Sequence, residues 1–387
     1  MAVQHDDRLY YMDNLRALAM LVGVLFHAAL AYSPLMHNYW PTADADGSAW
    51  VDVLAWFVHL FRMPLFFVVS GFFTALLVRK RGIAGMLRNR LARVLLPFVI
   101  FLPLVYCTLT WLTAEAASST RHISPVLALV KQVMLEQGSL PLAPTVAHLW
   151  FLLYLMCFCV LVWVVSAFEL KRLPSWLANL RPWVLVGVAP LLLVPALASV
   201  SAPWPAPEFF LPQLWALVFF GFYFGLGYLL FQRESLLDQL RPLTPFLLVS
   251  ALAAYAAFLR FLGTPQPGLS LHLLQAALEA YAGLWMTLWC LQAGKDWLNG
   301  RSQVMRYLAD ASYWVYLVHL PLLFAIQYRL LDVAAGWQMK LGVSVLATSL
   351  LALASYHLLV RNTFMGRLLN GRGHAGERPH SISRSTA

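Results

Sequence analysis

Acidic side chains are nearly missing from the long apolar runs of this 387-residue chain. Past the second run, Glu279 is the only acid deep in such a stretch. A pump built on carboxylate relays has little to work with here. Charge of either sign is scarce, at 11% of residues against 61% hydrophobic ones, and mean hydropathy is +0.69. That balance excludes a soluble domain and fits a polytopic membrane protein. Cysteine is scarce as well. Cys107, Cys157, Cys159 and Cys290 all fall in apolar segments, so they read as small core residues and imply no disulfide framework. Cys157 and Cys159 point their thiols to different helix faces, which argues against a metal pair. There is no glycine-rich phosphate loop, no Cys-x-x-Cys pair, no His-Glu-x-x-His, no internal repeat and no appended soluble domain. No metal site and no permanently bound cofactor are expected.

What is present is a series of apolar windows long enough to span a bilayer. They fall at about 11–34, 51–78, 94–113, 146–168, 182–200, 209–231, 244–263, 270–293, 309–328 and 338–360. The expected fold is all-α, a polytopic membrane helix bundle of about ten transmembrane helices. Cation placement sets its orientation. With the N-terminus inside, 20 of the 27 Lys and Arg fall on the cytoplasmic side and five outside, while Arg16 and Arg62 lie within spans. Both termini are therefore expected in the cytoplasm. The same asymmetry accounts for the net charge of +10 with membrane lipid as partner and no nucleic acid. The first run resembles a signal peptide, and Ala29-Leu30-Ala31 a cleavage site, but Asp6, Asp7 and Asp13 spoil the basic leader, so it reads as an uncleaved first span. Residues 1–365 form the membrane domain. Residues 366–387, rich in Gly, Arg and Ser, read as a disordered cytoplasmic tail.

The polar groups inside the spans carry the chemistry. Arg16 and His27 are eleven residues apart, about three turns and about 16 Å along one helix face. His59 and Arg62, one turn apart on the second span, fall at a depth near that of His27. A structural network tying two helices together and a functional site both fit this convergence. In Phe66-Phe67-Val68-Val69-Ser70-Gly71, the Ser-Gly pair by itself implies close backbone packing. Arg90 and Arg93 lie one turn apart at the basic end of the third span. They suit topology and anionic lipid, or bidentate contacts to the phosphates of an acyl-CoA. His148 and Trp150 open the fourth span as interfacial anchors or as the lining of an acceptor cleft. Ser312, Tyr316 and His319 share a face of the ninth span, with Pro321 beside His319 freeing backbone hydrogen bonds.

Taken as a set, these residues resemble the acyltransferase 3 family of integral-membrane acyltransferases. The match covers most of the chain. It rests on Tyr11-x-Asp13-x-x-Arg16-Ala17, His27, His59-x-x-Arg62-Met63, Phe66-Phe67-Val68-Val69-Ser70-Gly71, Arg90-x-x-Arg93, His148-Leu149-Trp150-Phe151-Leu152 and the Ser312, Tyr316, His319, Pro321 group. The first two spans are most similar to the branch that modifies periplasmic glucans. The resemblance implies a protein of the bacterial inner membrane that acylates the hydroxyls of an extracytoplasmic carbohydrate, with a cytosolic acyl-CoA as co-substrate. In the glucan branch the acyl group is succinyl; acetyl is the other candidate. The chemistry suits the residues: His27 as base or transient acyl carrier, with Arg16, Arg62 and His59 around it, and Arg62 or Arg16 facing the developing oxyanion. Arg90, Arg93 and Ser70 fall to the acyl donor. His148, Trp150, Ser312, Tyr316 and His319 fall to the acceptor or a supporting shell. A transporter or flippase for a polar metabolite or glycan is the competing class, and it differs in needing no thioester cleavage. A membrane scaffold leaves the converging His and Arg groups without a reason.

Overall fold

A computed structural model of the protein describes residues 10–140, 145–167, 180–264 and 267–370. Arg8, Lys171 and Arg172 of the cation count, and the tail beyond residue 370, lie outside the described residues. Those that are described form helices and connecting turns, with no strand among them. The long helices are α1 (Tyr10–Ala29), α2 (Ala49–Arg90), α3 (Leu96–Ser119), α4 (Pro125–Gln137), α5 (Trp150–Ala167) and α6 (Leu214–Gln232). They continue as α7 (Thr244–Leu259), α8 (Leu269–Trp297), α9 (Gln303–Leu330), α10 (Trp337–Ser355) and the short α11 (Phe364–Asn370). Among the described residues, seven helical segments are long and apolar enough to cross a membrane, one of them the 71-residue run Ala49–Ser119.

Two elements depart from the expectation. A single helix over 182–200 does not form. Val184–Leu197 is instead a string of short, irregular helical turns, because Pro190 and Pro195 remove ladder donors within five residues of each other. At the other end, residues 366–370 of the expected disordered tail belong to α11, with Leu369 buried.

The basic stretch 79–93 is helical too. Gly82, at φ 68°, turns the chain in a conformation that suits only glycine without strain, so α2 runs on in a new direction. A π-helical turn, Leu91–Leu95, then carries Arg93 and leads into α3. The core is built around α1, α2 and α6. Ser48 caps α2 by accepting from Trp50 N, and Asp52 lies in the first turn, where the helix dipole favours an acid. Gly71 and Gly227 explain the closeness of α2 and α6: a Cβ on Gly71 would overlap the Phe224 carbonyl, and one on Gly227 the Val68 carbonyl.

The bundle has two unlike ends. At one, Arg90, Arg93 and α11 meet. At the other, residues 30–48 fold back across the helix ends as two short 3₁₀ turns, Leu30–Tyr32 and Pro34–Met36. That loop is tied down at four points. Asp44 and Lys340 form a buried ion pair of 2.6 Å, and Thr42 donates to Gln327 at 2.7 Å. Asp46 accepts from Trp337 N at 2.8 Å, and Ser33 donates to Asp52.

Candidate active site

A cavity of about 300 Å³ runs from the basic end into the middle of the bundle. Its walls are α1, α2, α5 with the turn before it, α9, the π-helical turn Leu91–Leu95 and Leu369 of α11. Every candidate residue except one lines it: Arg16, His27, Arg62, Ser70, Arg90, Arg93, His148, Trp150, Ser312, Tyr316 and His319. The shared face expected of Arg16 and His27 is the face α1 turns to this space.

His59 is the exception. It lies one turn from Arg62 but does not line the cavity. Its Nε2 donates to the Trp204 carbonyl at 2.8 Å, and its ring stacks on the Trp204 indole at 3.8 Å between centroids. Trp204, 1% exposed, comes from the Pro-rich loop, which sinks its indole into the bundle. Glu279 accepts from Trp204 N at 3.1 Å. The one acid deep in the later spans therefore holds a loop and does not line the cavity. Local spacing on α2 could not foresee this, because the partner is 145 residues away.

At the inner end of the cavity three imidazoles meet. His27 Nδ1 and His319 Nε2 are 3.0 Å apart. His319 Nδ1 faces the carbonyls of Tyr316 and Val315, at 2.8 and 3.1 Å. His148 donates from Nε2 to the Tyr316 carbonyl at 3.1 Å, and Tyr316 OH donates back to the His148 carbonyl at 2.7 Å. This cross-brace fixes α5 to α9 at the turn before Pro321, where the helix ladder loses a donor.

Arg62 lies beside them. Its guanidinium sits over the Phe26 ring at 4.4 Å, a cation–π contact, and its Nε is buried with no partner. No carboxylate pairs with it among the described residues. A buried cation without an anion is costly. An acyl-transfer oxyanion or an anionic ligand in the cavity would supply the missing charge. Gly23 makes the room: a Cβ there would come within 3.2 Å of Arg62 Nη1.

Towards the basic end, Arg90 donates from Nη2 to Thr74 Oγ1 at 3.0 Å, and Thr74 donates to the Ser70 carbonyl at 2.8 Å. The Ser70 turn thus supports Arg90 through its backbone. Arg16 donates to the Ala309 carbonyl at 2.9 Å and lies 3.5 Å from Asp13. Ser312 donates to the same carbonyl at 2.7 Å. Trp150 packs on Phe220 at 5.1 Å, so it belongs to the wall and not to a free interface.

Three residues escaped the sequence reading. Tyr313 lines the cavity with its OH buried and unpartnered. Its signal was there, since it is one turn from Tyr316. Gly23 carried no signal without Arg62 beside it. Trp40, in the folded-back loop, lies parallel to His27 at 6.3 Å, on the side away from the basic end. Among the described residues no group of three His, Cys, Asp or Glu is arranged to hold a metal ion.

A multi-pass helical bundle with an imidazole cluster at the head of a cation-lined cavity has the groups that a membrane group-transfer enzyme needs. The chain belongs to the acyltransferase 3 family, whose acyltransferase domain matches residues 9–357, and it is an integral-membrane acyltransferase. It is similar to the glucans biosynthesis protein C of Escherichia coli strain K12, with 28% identity over 355 residues covering 86% of each chain. The protein of that name from Escherichia coli O17:K52:H18 strain UMN026 is 26% identical over 350 residues, again with 86% of each covered. No solved structure matches the chain.

Proposed function

We propose that the protein moves an acyl group from a cytosolic acyl-CoA to hydroxyls of an extracytoplasmic glucan or related carbohydrate, from a site within the bacterial inner membrane. The observation that carries the reading is the cavity itself. It connects unpaired arginines at one end of the bundle to a base and a buried cation at mid-depth. In this reading ten spans place both termini in the cytoplasm, so the basic end is the donor's entrance. Arg90 and Arg93 hold the donor's phosphates there, where the guanidinium fork suits bidentate contact.

Transfer then follows from the residues at the inner end. The acceptor O–H gives its proton to His27 Nε2 as the oxygen attacks the thioester carbon. Arg62 stabilises the oxyanion of the tetrahedral intermediate. The C–S bond breaks, and the thiolate sulfur takes the proton from His27. The acyl group is succinyl by likeness to the glucan branch, and acetyl is the alternative to test beside it.

The experiment is acyl transfer in proteoliposomes with acyl-CoA outside and glucan inside. Free thiol and acylated glucan should rise together, in equal amounts, only when both substrates are present. Passage of either substrate across the membrane with no thiol released would put the transporter class in place of this reading.

A further inference from the structure

We infer that His319 is a positioning residue that fixes the tautomer of His27, in a relay running from the Tyr316 carbonyl through both imidazoles to the reacting hydroxyl. The inference deepens the proposed function and rests on His27 being its base.

The argument begins at the carbonyls. A carbonyl oxygen only accepts, so His319 Nδ1, at 2.8 Å from Tyr316 O and 3.1 Å from Val315 O, must carry the ring's proton. In the neutral ring Nε2 is then a lone pair. His27 Nδ1 lies 3.0 Å from it, so His27 Nδ1 must donate. A neutral His27 held this way has its lone pair on Nε2. That nitrogen has no hydrogen-bond partner among the described residues, and His27 lines the cavity. The nitrogen left for substrate is therefore the one able to accept a proton. Without His319 no other described group chooses between the tautomers, and the Nε2–H form turns a donor instead of a lone pair towards the cavity.

Two features hold the relay in place. His319 is 4% exposed, and its ring lies edge-on to His148 at 5.0 Å. His148 donates to the same Tyr316 carbonyl, so that oxygen anchors both rings. On the far side of His27, Trp40 lies parallel to the imidazole. The arrangement follows the logic of a base oriented by a third group, with a backbone carbonyl where other enzymes use a carboxylate. It also fits a span nearly free of acids, since a carbonyl orients a ring without a buried charge to compensate.

The test uses the full chain in nanodiscs with ¹⁵N-labelled histidine, the His27 signals being assigned by their loss in His27→Gln. In the wild type, His27 should show a protonated Nδ1 and a bare Nε2. In His319→Leu that preference should collapse and kcat should fall about 10²-fold, the low end of a general-base contribution, with KM for acyl-CoA unchanged. His319→Gln can accept from His27 Nδ1–H through its amide oxygen but cannot shuttle a proton. It should keep the wild-type tautomer and stay within about tenfold of wild-type kcat. A wild-type His27 protonated on Nε2 overturns the relay. So does a Gln variant as inactive as the Leu variant with the His27 tautomer intact in both. The spectrum needs no turnover, so failure of the acyl-transfer reading, seen as activity surviving in His27→Ala, has its own signature.

Discussion

The two ends of the bundle treat charge in opposite ways. At the loop end, Asp44 and Lys340 are both buried and meet at 2.6 Å. Asp332 there accepts from the backbone N–H groups of Arg121 and His122 at 2.9 to 3.1 Å. Charges at this end bond parts of the protein to one another. In the cavity leading from the basic end, Arg62, Arg90 and Arg93 have no carboxylate partner among the described residues. A buried ion pair that loses one member strands the other, whereas a cation awaiting a ligand strands nothing when it is removed. The first kind of site should answer to mutation through stability, the second through activity.

The largest effect tests the active side of that contrast. His27→Ala should lower kcat by about 10² to 10⁴-fold, the general-base range, with insertion and melting unchanged. A variant that keeps more than a few per cent of activity while His319→Ala or His148→Ala is dead would move the base elsewhere. At the loop end, Asp44→Asn should cost about 3–5 kcal/mol, read as a lower melting temperature, because Lys340 is left as an unpaired buried charge. The double variant Asp44→Asn, Lys340→Met should recover most of it. A loss in both that is simply additive would mean the pair is not coupled.

Arg62→Gln sharpens the comparison. It should lower kcat by about 10² to 10³-fold, as removal of an oxyanion donor does, and leave the melting temperature level or higher. Loss of stability matching that of Asp44→Asn would show Arg62 to be a structural cation after all. Arg90→Gln with Arg93→Gln should raise KM for acyl-CoA about tenfold or more and leave acceptor dependence alone, measured by donor titration. Unchanged donor dependence in an inserted protein would leave the two arginines as topology signals.

The smallest effect is at Asp332. Backbone N–H groups of His122 and Arg121 hold its carboxyl below the usual aspartate range. A depressed pKa contributes stability above the unfolded value, about 3.9, and that stability is lost as pH falls through the lower folded value. Hydrogen exchange of the Arg121 and His122 amides should quicken only below about pH 4, and in Asp332→Asn the dependence should vanish. Exchange that stays slow in the variant at low and neutral pH would remove the carboxylate from the account.

Much of the site was legible because helices convert spacing into faces. Arg16 with His27, and Ser312 with Tyr316 and His319, are set on one face by 3.6 residues per turn, and each of those faces borders the cavity; Arg93 reaches it from the π-helical turn that follows Arg90. The same rule failed at His59. Its period was right, but Trp204 took its donor from a distant loop. It failed differently at 182–200, where apolar composition promised one continuous helix and two prolines broke the ladder. Composition set the membrane class, the scarcity of acids and the basic asymmetry, because transfer free energies and helical periodicity act locally. Tertiary structure alone decided which face met which. It brought His319 to His27 across 292 residues, left Arg62 over Phe26 with no carboxylate partner among the described residues, and pinned the folded-back loop with Lys340. Those are contacts between separate helices. Their energies depend on packing and on which polar groups remain unpaired, and neither is written in the period of any one segment.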